Sequence, residues 1–377
     1  MKEDSVSSDG SASVIRYAFR IHKEYGEPAR RILDEAAFLD HSCKPFADDL
    51  YLYLPLLCYP EKEERLAIRN LLEPLLKQLP RPKEKAEFLS GYVKDISFKV
   101  QRKAPTVPDL LGFSVAYEII GDIAVLDDKV ADSHEKECGG CDEEISKIAD
   151  AILTAHPSVK TVLFSKGPIS GEFRTRDLEF VAGINKTETI HKEYGCKYKV
   201  DLGRAYFTPR LSTERHRIAE QIQAKDTVID MFAGVGPYSI LIAKQAKPVQ
   251  IIANDKNDAA AELLKENIVL NKVKNITVLN EDAAALSEMY PKVGDHVIMN
   301  LPHNACDFLD TAVSICKKGG VIHYYAMTSD DDLFDGSIEM IRKAAEKQGR
   351  EIKVLEKRNV RSYAPHQYNI CLDVKLE

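Results

Sequence analysis

The chain has 377 residues, 44 % hydrophobic and 29 % charged, with a formal net charge of −7; these are the proportions of a soluble globular protein, long enough for two or three domains. No run of about 18 apolar residues exists to span a membrane, the polar start Met1-Lys-Glu-Asp-Ser lacks the apolar core of a secretion signal, and eight scattered cysteines show no disulfide framework, so a cytoplasmic, mostly reduced protein is expected. The acidic balance argues mildly against a nucleic-acid partner, an objection that local basic runs (Lys99–Lys103; Arg204, Arg210, Arg215 and Arg217; Lys357–Arg361) weaken if they share a face.

Residues 1 to about 12, rich in Ser, Gly and Asp, predict a disordered tail. The partly alternating run from Ser13 predicts a strand, Glu27–Ala37 a helix, and Tyr51–Leu57 a strand that Pro55 places at an edge or strand end. Glu61–Leu79 predicts an amphipathic helix and Ile96–Val100 a strand, completing a small α+β module over 13–105 that the linker Ala104–Pro108 closes. A second α+β module is expected over 109–200. It opens with a long strand, Val115–Leu126, with an irregularity at Gly121. A polar loop carrying Cys138 and Cys141 follows, then helix Glu143–Ala155, strands Thr161–Phe164 and Leu178–Ala182, and a hairpin over Thr189–Val200. The cysteine pair has zinc spacing and His134 is near, but no second pair completes four ligands, so no metal is expected.

Residues 201–217 open a helix that Ser212 or Thr213 can cap, with Glu214 in its first turn; a capping acid and a carboxylate beside a ligand pocket are both open readings. Next, β-branched Val228 and Ile229 predict a buried strand. It ends in Gly234-Val-Gly236, and Pro237 is a good first helical residue. Strand, glycine turn and helix N-terminus form a place for a ligand across the carboxyl end of a parallel sheet. The dinucleotide pattern G-x-G-x-x-G fails at Ser239. Asp230 at the strand tip would repel a pyrophosphate but suits a cationic ligand, which points to S-adenosylmethionine, with an ammonium, a sulfonium and a ribose but no phosphate. A second strand, Gln250–Asp255, ends in a carboxylate suited to a ribose. After the amphipathic helix Asn257–Asn271 and the strand Ile276–Leu279, Asp282 stands where an adenine amine can be received. Any one of these acids alone reads as a solvated loop carboxylate; three in succession at strand ends read as a site. The strand His296–Asn300 then delivers Asn300 to the same edge, with Pro302 shaping the backbone, to face a planar base or to cap a helix over Asn304–Lys317. Strand Gly319–Tyr325, helix Leu333–Gln348 and the closing pair Glu351–Val360 and Tyr368–Val374 bring the count to seven strands over 201–377.

The runs Thr189–Glu193, Tyr206–Arg215, Asp230–Pro237, Met299–Pro302, Gly320–Tyr325 and Arg361–Pro365 are similar to the archaeal and eukaryotic tRNA (guanine-N1)-methyltransferase family. The likeness is strong over about 110–377 and looser before it; Tyr238 stands where the family often has Phe. It implies an α/β class I methyltransferase fold, a doubly wound seven-stranded sheet at the C-terminus preceded by two small α+β domains. It implies methyl transfer from S-adenosylmethionine to N1 of guanosine 37, just 3′ of the anticodon, by a monomer that binds tRNA and no membrane. For matched positions it implies Glu214 as general base, Arg174 against O6, and Asn300 and Pro302 holding a flipped guanine. Cofactor contacts are implied for Arg215, Asp230, Phe232, Gly234, Gly236, Pro237, Asp255, Lys256, Asp282, Ala283 and Asn300. The chemistry is coherent: N1 must lose a proton to become nucleophilic, and a cation at O6 stabilises the charge that then spreads there. Arg174 in a plain surface salt bridge is the alternative. The related aminocarboxypropyltransferase of wybutosine synthesis, a bifunctional methyltransferase also acting on a tricyclic base, and a tRNA-binding protein with a vestigial pocket are the competing functions; Asn300-Leu-Pro302 together with Glu214 favours methyl transfer.

Overall fold

The computed structural model describes residues 5–6, 12–76, 91–99, 105–127, 141–167, 171 and 175–377. The chain divides into two units, Met1–Ala104 and Pro105–Glu377. In the first, strand Ala12–His22 pairs antiparallel with Tyr51–Leu56, Tyr92–Lys99 and the short Ser5–Val6. Pro55, which has no N–H for a ladder, lies next to the end of its strand. Ala29 and Leu33 from helix Gly26–Glu35, and Ile68 and Leu72 from helix Lys62–Leu76, pack with Phe19, Ile21 and Leu54 in one core. Burial of each large aliphatic side chain contributes about 1.5–3 kcal/mol. Within the expected tail Ser5–Val6 is strand, whereas residues 1–4 and 7–11 lie outside the described residues.

The expected linker instead starts a helix. The Thr106 hydroxyl accepts from the Asp109 N–H and the Asp109 carboxylate from the Thr106 N–H, a reciprocal cap on Val107–Leu111 with Pro108 in the first turn. The expected long strand Val115–Leu126 is a hairpin, Tyr117–Ile120 with Ile123–Leu126. Gly121 takes φ +59°, and the two-residue turn Gly121-Asp122 reverses the chain where a bulge was anticipated. Thr161–Ser165 and Leu178–Gly183 complete a four-stranded sheet backed by helix Cys141–Ala155. The hairpin Glu188–Asp201 is a separate two-stranded ribbon. It docks on helix Asp258–Asn271, where Asn267 and Asn271 each exchange two hydrogen bonds with the backbone of Lys199 and Lys197. One turn apart on a helix, the two amides satisfy a strand edge that has no neighbouring strand.

The large sheet consists of β1 (Thr227–Asp230), β2 (Gln250–Asn254), β3 (Ile276–Leu279), β4 (Gly294–Met299), β5 (Cys316–Ser329), β6 (Ile352–Ala364) and β7 (Gln367–Leu376). Its order is β3-β2-β1-β4-β5-β7-β6. β1 to β5 are parallel, and β7 runs antiparallel to both of its neighbours. This is the class I methyltransferase arrangement. Val228, Ile251 and Ile298 bury one face, Ile229, Ile252, Val297 and Ile322 the other, as a sheet covered by helices on both sides requires. Chain order reverses between β1 and β4, so the connections leaving them diverge and open a crevice at the carboxyl ends. The helix expected over Asn304–Lys317 is shorter, a 3-10 turn Ala305–Phe308 followed by Leu309–Ile315, and the Asn304 side chain does not cap it. Among the described residues no helix is long and apolar enough to cross a membrane.

Candidate active site

β1 ends at Asp230, and the turn beyond it leads into helix Pro237–Gln245. Gly234 and Gly236 take φ of +55° and +86°, left-handed values that cost other residues about 1–2 kcal/mol. A Cβ on Gly236 would also strike the Leu264 side chain, so the glycine lets helix Asp258–Asn271 pack against bare backbone. Pro237 takes the first helical position, where its missing N–H costs nothing. At the carboxyl ends of β1, β2 and β4 lies a cavity of about 620 Å³, a size suited to a cofactor. Of the residues expected at a site, Arg215, Phe232, Gly234, Pro237, Asp255, Lys256, Asp282, Ala283, Asn300 and Pro302 line it.

The three strand-end acids part company. Asp255 lines the cavity, its carboxylate accepting from the N–H groups of Gly234 (2.7 Å) and Asn257 (2.9 Å). Burial pushes its carboxyl up, and those two N–H groups pull it back. Asp282 lines the cavity and is half exposed; the Ala284 N–H at 3.0 Å and Lys256 at 3.2 Å hold its carboxyl below the usual range. Asp230 does not line the cavity. It is fully buried and accepts a hydrogen bond from the Ser239 hydroxyl at 2.7 Å, and burial pushes its carboxyl up to about 7. Through its Oδ2, Asp230 ties β1 to the helix after the turn, and its Oδ1 is buried without a partner. Gly236 likewise stays out of the wall, packed on Leu264.

Asn300 follows β4 in a short turn closed by the Ala305 N–H donating to the Leu301 carbonyl at 2.8 Å. Its Oδ1 is buried and has no partner, a rare condition in a folded protein and one that a ligand donor relieves. The Pro302 carbonyl accepts from the Met327 N–H at 2.9 Å, which joins this turn to β5.

Glu214 does not reach the cavity. It is 3 % exposed in the first turn of helix Ser212–Gln221. Arg217 at 2.7 Å, the Tyr325 hydroxyl at 2.9 Å and Arg358 at 3.1 Å occupy both carboxylate oxygens. Its neighbour Arg215, 2 % exposed, does form part of the wall. Arg215 makes a two-pronged pair with Glu193 at 2.6 and 2.7 Å, donates to the Thr208 carbonyl at 3.2 Å and lies over the Phe207 ring. Successive helical side chains point about 100° apart, and here the helix sends Arg215 to the crevice and Glu214 towards Tyr325 on β5 and Arg358 on β6. Arg174 and Cys138 lie outside the described residues; Gly171, close to Arg174 in sequence, lines the cavity. Among the described residues no group of His, Cys, Asp and Glu is placed to hold a metal.

Sequence reasoning assigned no role to Tyr206, Thr208, Met327, Arg361, Tyr363 or Asn369, all of which line the cavity. Tyr206, Thr208, Arg361 and Tyr363 fall inside runs that carry the family likeness, and Arg361 also ends the basic run Lys357–Arg361. Thr208 is held by the buried Glu118, which accepts from its hydroxyl at 2.9 Å and pairs with Arg176 at 2.6 Å and Arg210 at 3.0 Å. That carboxylate fixes the segment before helix Ser212–Gln221 to the hairpin strand Tyr117–Ile120.

Known proteins resemble the chain along most of its length. Residues 189–355 match the TRM5/TYW2 methyltransferase domain, 18–64 the tRNA methyltransferase 5 N-terminal domain and 108–187 the TYW2 N-terminal domain. The tRNA (guanine(37)-N(1))-methyltransferase Trm5b of Pyrococcus abyssi is 38 % identical over 95 % of this chain and 98 % of its own. A crystal structure of that protein matches with a TM-score of 0.64 at 34 % identity, covering 96 % of this chain and 99 % of the other. A tRNA(Phe) (4-demethylwyosine(37)-C(7)) aminocarboxypropyltransferase of Methanocaldococcus jannaschii is 32 % identical over 70 % of this chain and 98 % of its own. The crystal structure of M. jannaschii TYW2 in complex with AdoMet matches with a TM-score of 0.54 at 29 % identity, covering 70 % and 99 %. Identity at this level across nearly the whole of both chains, on a sheet of the class I order, means that the chain belongs to the TRM5/TYW2 methyltransferase family.

Proposed function

We propose that this protein transfers the methyl group of S-adenosylmethionine to N1 of guanosine 37 in tRNA. The observation that carries the reading is a single cavity whose wall joins the Gly234 turn, Asp255, Asp282 and the unpaired amide oxygen of Asn300. These residues fit the donor molecule. Asp255 and Asp282 offer carboxylates to hydroxyl and amine groups, Phe232 and Pro237 offer apolar surface, and Gly234 exposes bare backbone. Once bound, S-adenosylmethionine supplies an electrophilic methyl on a sulfonium centre.

The remaining work falls to this chain's side chains. Asn300 and Pro302 hold a guanine that has left the anticodon-loop stack. Arg174 stabilises the negative charge that develops on O6, and Glu214 accepts the N1 proton. Glu214 is engaged by Arg217, Tyr325 and Arg358. Catalytic hydrogen bonds often form only in the substrate complex, and Arg358, at 40 % side-chain exposure, is the arm of that clamp most open to an RNA phosphate. The module 13–105 holds the tRNA body, 109–200 contributes to the active site, and 201–377 binds the donor.

The names of the relatives support tRNA as substrate. The methyltransferase reading is preferred to aminocarboxypropyl transfer because the Pyrococcus Trm5b relative matches 95 % of this chain, including the N-terminal unit, and the aminocarboxypropyltransferase 70 %. The test is transfer of label from methyl-labelled S-adenosylmethionine to two tRNA transcripts, one with G and one with A at position 37. Label on the first alone is expected; equal labelling of both, or of neither, would reject the reading.

A further inference from the structure

Glu214 is joined to a buried row of charged and polar side chains, none of which lines the cavity. Arg217, one turn further along helix Ser212–Gln221, divides its guanidinium between carboxylates. Its Nε and Nη2 donate to Glu214 at 3.0 and 2.7 Å, and its Nη1 donates to Asp373 at 2.5 Å and to Glu356 at 2.9 Å. Asp373, on β7, is 2 % exposed. It also accepts from the Gln221 amide at 2.8 Å, and its other oxygen pairs with His323 Nδ1 at 2.7 Å. His323 is the register partner of Asp373 on β5, and its Nε2 stands 3.0 Å from Nδ1 of His296 on β4. Burial opposes the charge on Asp373, but the hydrogen bonds from His323, Arg217 and Gln221 hold its carboxyl well below the usual range. Burial, with His323 beside it, pushes His296 down to about 3. Buried ion pairs often contribute nothing net to stability, so holding the fold together is not a sufficient reason for this set.

We infer that Arg217 and Asp373 are positioning residues that act on the reaction through Glu214, with Asp373 drawing the Arg217 guanidinium part of the way off the carboxylate that accepts the N1 proton. The inference rests on the proposed role of Glu214 and adds to it what tunes that carboxylate. The groups facing Glu214 are Arg217 on its own helix, Tyr325 on β5, Glu356 and Arg358 on β6, Cys371 and Asp373 on β7, and Tyr238 on helix Pro237–Gln245. Two of them are guanidiniums. A carboxylate enclosed by both and nothing else keeps its charge but is a poor proton acceptor. Asp373 on the far side of Arg217, and Glu356 between Arg217 and Arg358, share that positive charge. The two inferred residues therefore pull in opposite directions: Arg217 keeps Glu214 ionised, and Asp373 keeps it basic. Neither has to touch the substrate.

The experiment measures single-turnover methyl transfer to a tRNA transcript with G37, from about pH 5 to 9, with the full-length wild type, E214Q, R217Q, D373N and the double variants E214Q/R217Q and E214Q/D373N. Calorimetric binding of S-adenosylmethionine checks that each variant keeps a folded donor site. D373N leaves Arg217 to Glu214, so the acid limb of the rate profile should move to lower pH by about one unit and the plateau should fall by about 3–30-fold. R217Q should move the limb to higher pH by about as much. Neither substitution should slow E214Q by more than about threefold, because the group through which both act is already gone. A structural role predicts slowing in both backgrounds with the limb in place. That result would overturn the inference, as would limbs displaced in the same direction, or either single variant at the wild-type rate and profile. Should D373N lose donor binding, R217Q decides: an upward displacement with no added loss in E214Q/R217Q supports the inference, and any other profile overturns it. E214Q at the wild-type rate rejects Glu214 as proton acceptor and this inference with it, whereas a wild type that transfers no methyl group rejects the proposed function itself.

Discussion

Adding one methyl group at each of the two turn glycines should separate packing from ligand binding. In G236A the new Cβ meets the Leu264 side chain at a φ of +86°. The left-handed conformation costs about 1–2 kcal/mol and displacing a packed leucine about 1–3 kcal/mol more, so roughly 2–5 kcal/mol is expected. In G234A the φ is +55° and the nearest atom to the new Cβ is the Tyr206 carbonyl oxygen at 3.7 Å. Only the conformational cost, about 1–2 kcal/mol, applies there. The entropy that alanine removes from the unfolded chain, about 0.4–1 kcal/mol, offsets both equally and drops out of the comparison. Urea unfolding of the full chain should place G236A clearly below G234A. Calorimetry with S-adenosylmethionine should show the larger affinity loss per unit of lost stability in G234A, because Gly234 lines the cavity and Gly236 does not. L264A should relieve part of the G236A penalty, giving a double variant less destabilised than the sum of the singles. Equal midpoints for G234A and G236A, or strict additivity with L264A, would refute the packing account of the turn.

E214Q should slow single-turnover methyl transfer by about 10²–10⁴-fold with little change in tRNA affinity; an unchanged rate removes Glu214 from the chemistry and leaves it the role of holding Arg217 and Tyr325. D230N should change how stability depends on pH. The Asp230 carboxyl is raised by burial from 3.8 to about 7, so between those values the folded state keeps a proton that the unfolded chain has lost. Wild-type stability is therefore reduced as pH rises through that window, by up to about 1.4 kcal/mol per pH unit. The stability of D230N relative to wild type should climb from pH 4 to 7 and level off above, and a flat difference would contradict the assignment. Removing residues 1–104 should weaken tRNA binding more than it slows single-turnover transfer at saturating tRNA; unaltered affinity would end the role proposed for that unit.

Local signals carried most of the fold. Gly234, Gly236 and Pro237 sit together in sequence and specify a turn by themselves, and the alternation of strand and helix patterns from Thr227 onward was enough for the seven strands. What local signals left open was direction. Asp230 and Asp255 both end buried strands, yet one side chain turns beneath the sheet to Ser239 while the other faces the crevice. Glu214 and Arg215 are neighbours in one helical turn, and nothing in their spacing says which of them meets the cavity. Glycine at 121 was legible as a break but not as a reversal, because a bulge and a two-residue turn ask the same conformational freedom of the residue. Met327, Arg361 and Asn369 form a row only through pairing across β5, β6 and β7, and no local pattern reports a register between distant strands.

The most direct test of the central claim is mass spectrometry of nucleosides from unmodified tRNA carrying G37, after incubation with the purified protein and S-adenosylmethionine. The account predicts 1-methylguanosine, mapped to position 37 and absent when the donor is omitted. An aminocarboxypropyl adduct, a methyl group on another nucleotide, or unmodified tRNA in the presence of folded, donor-binding protein would contradict it.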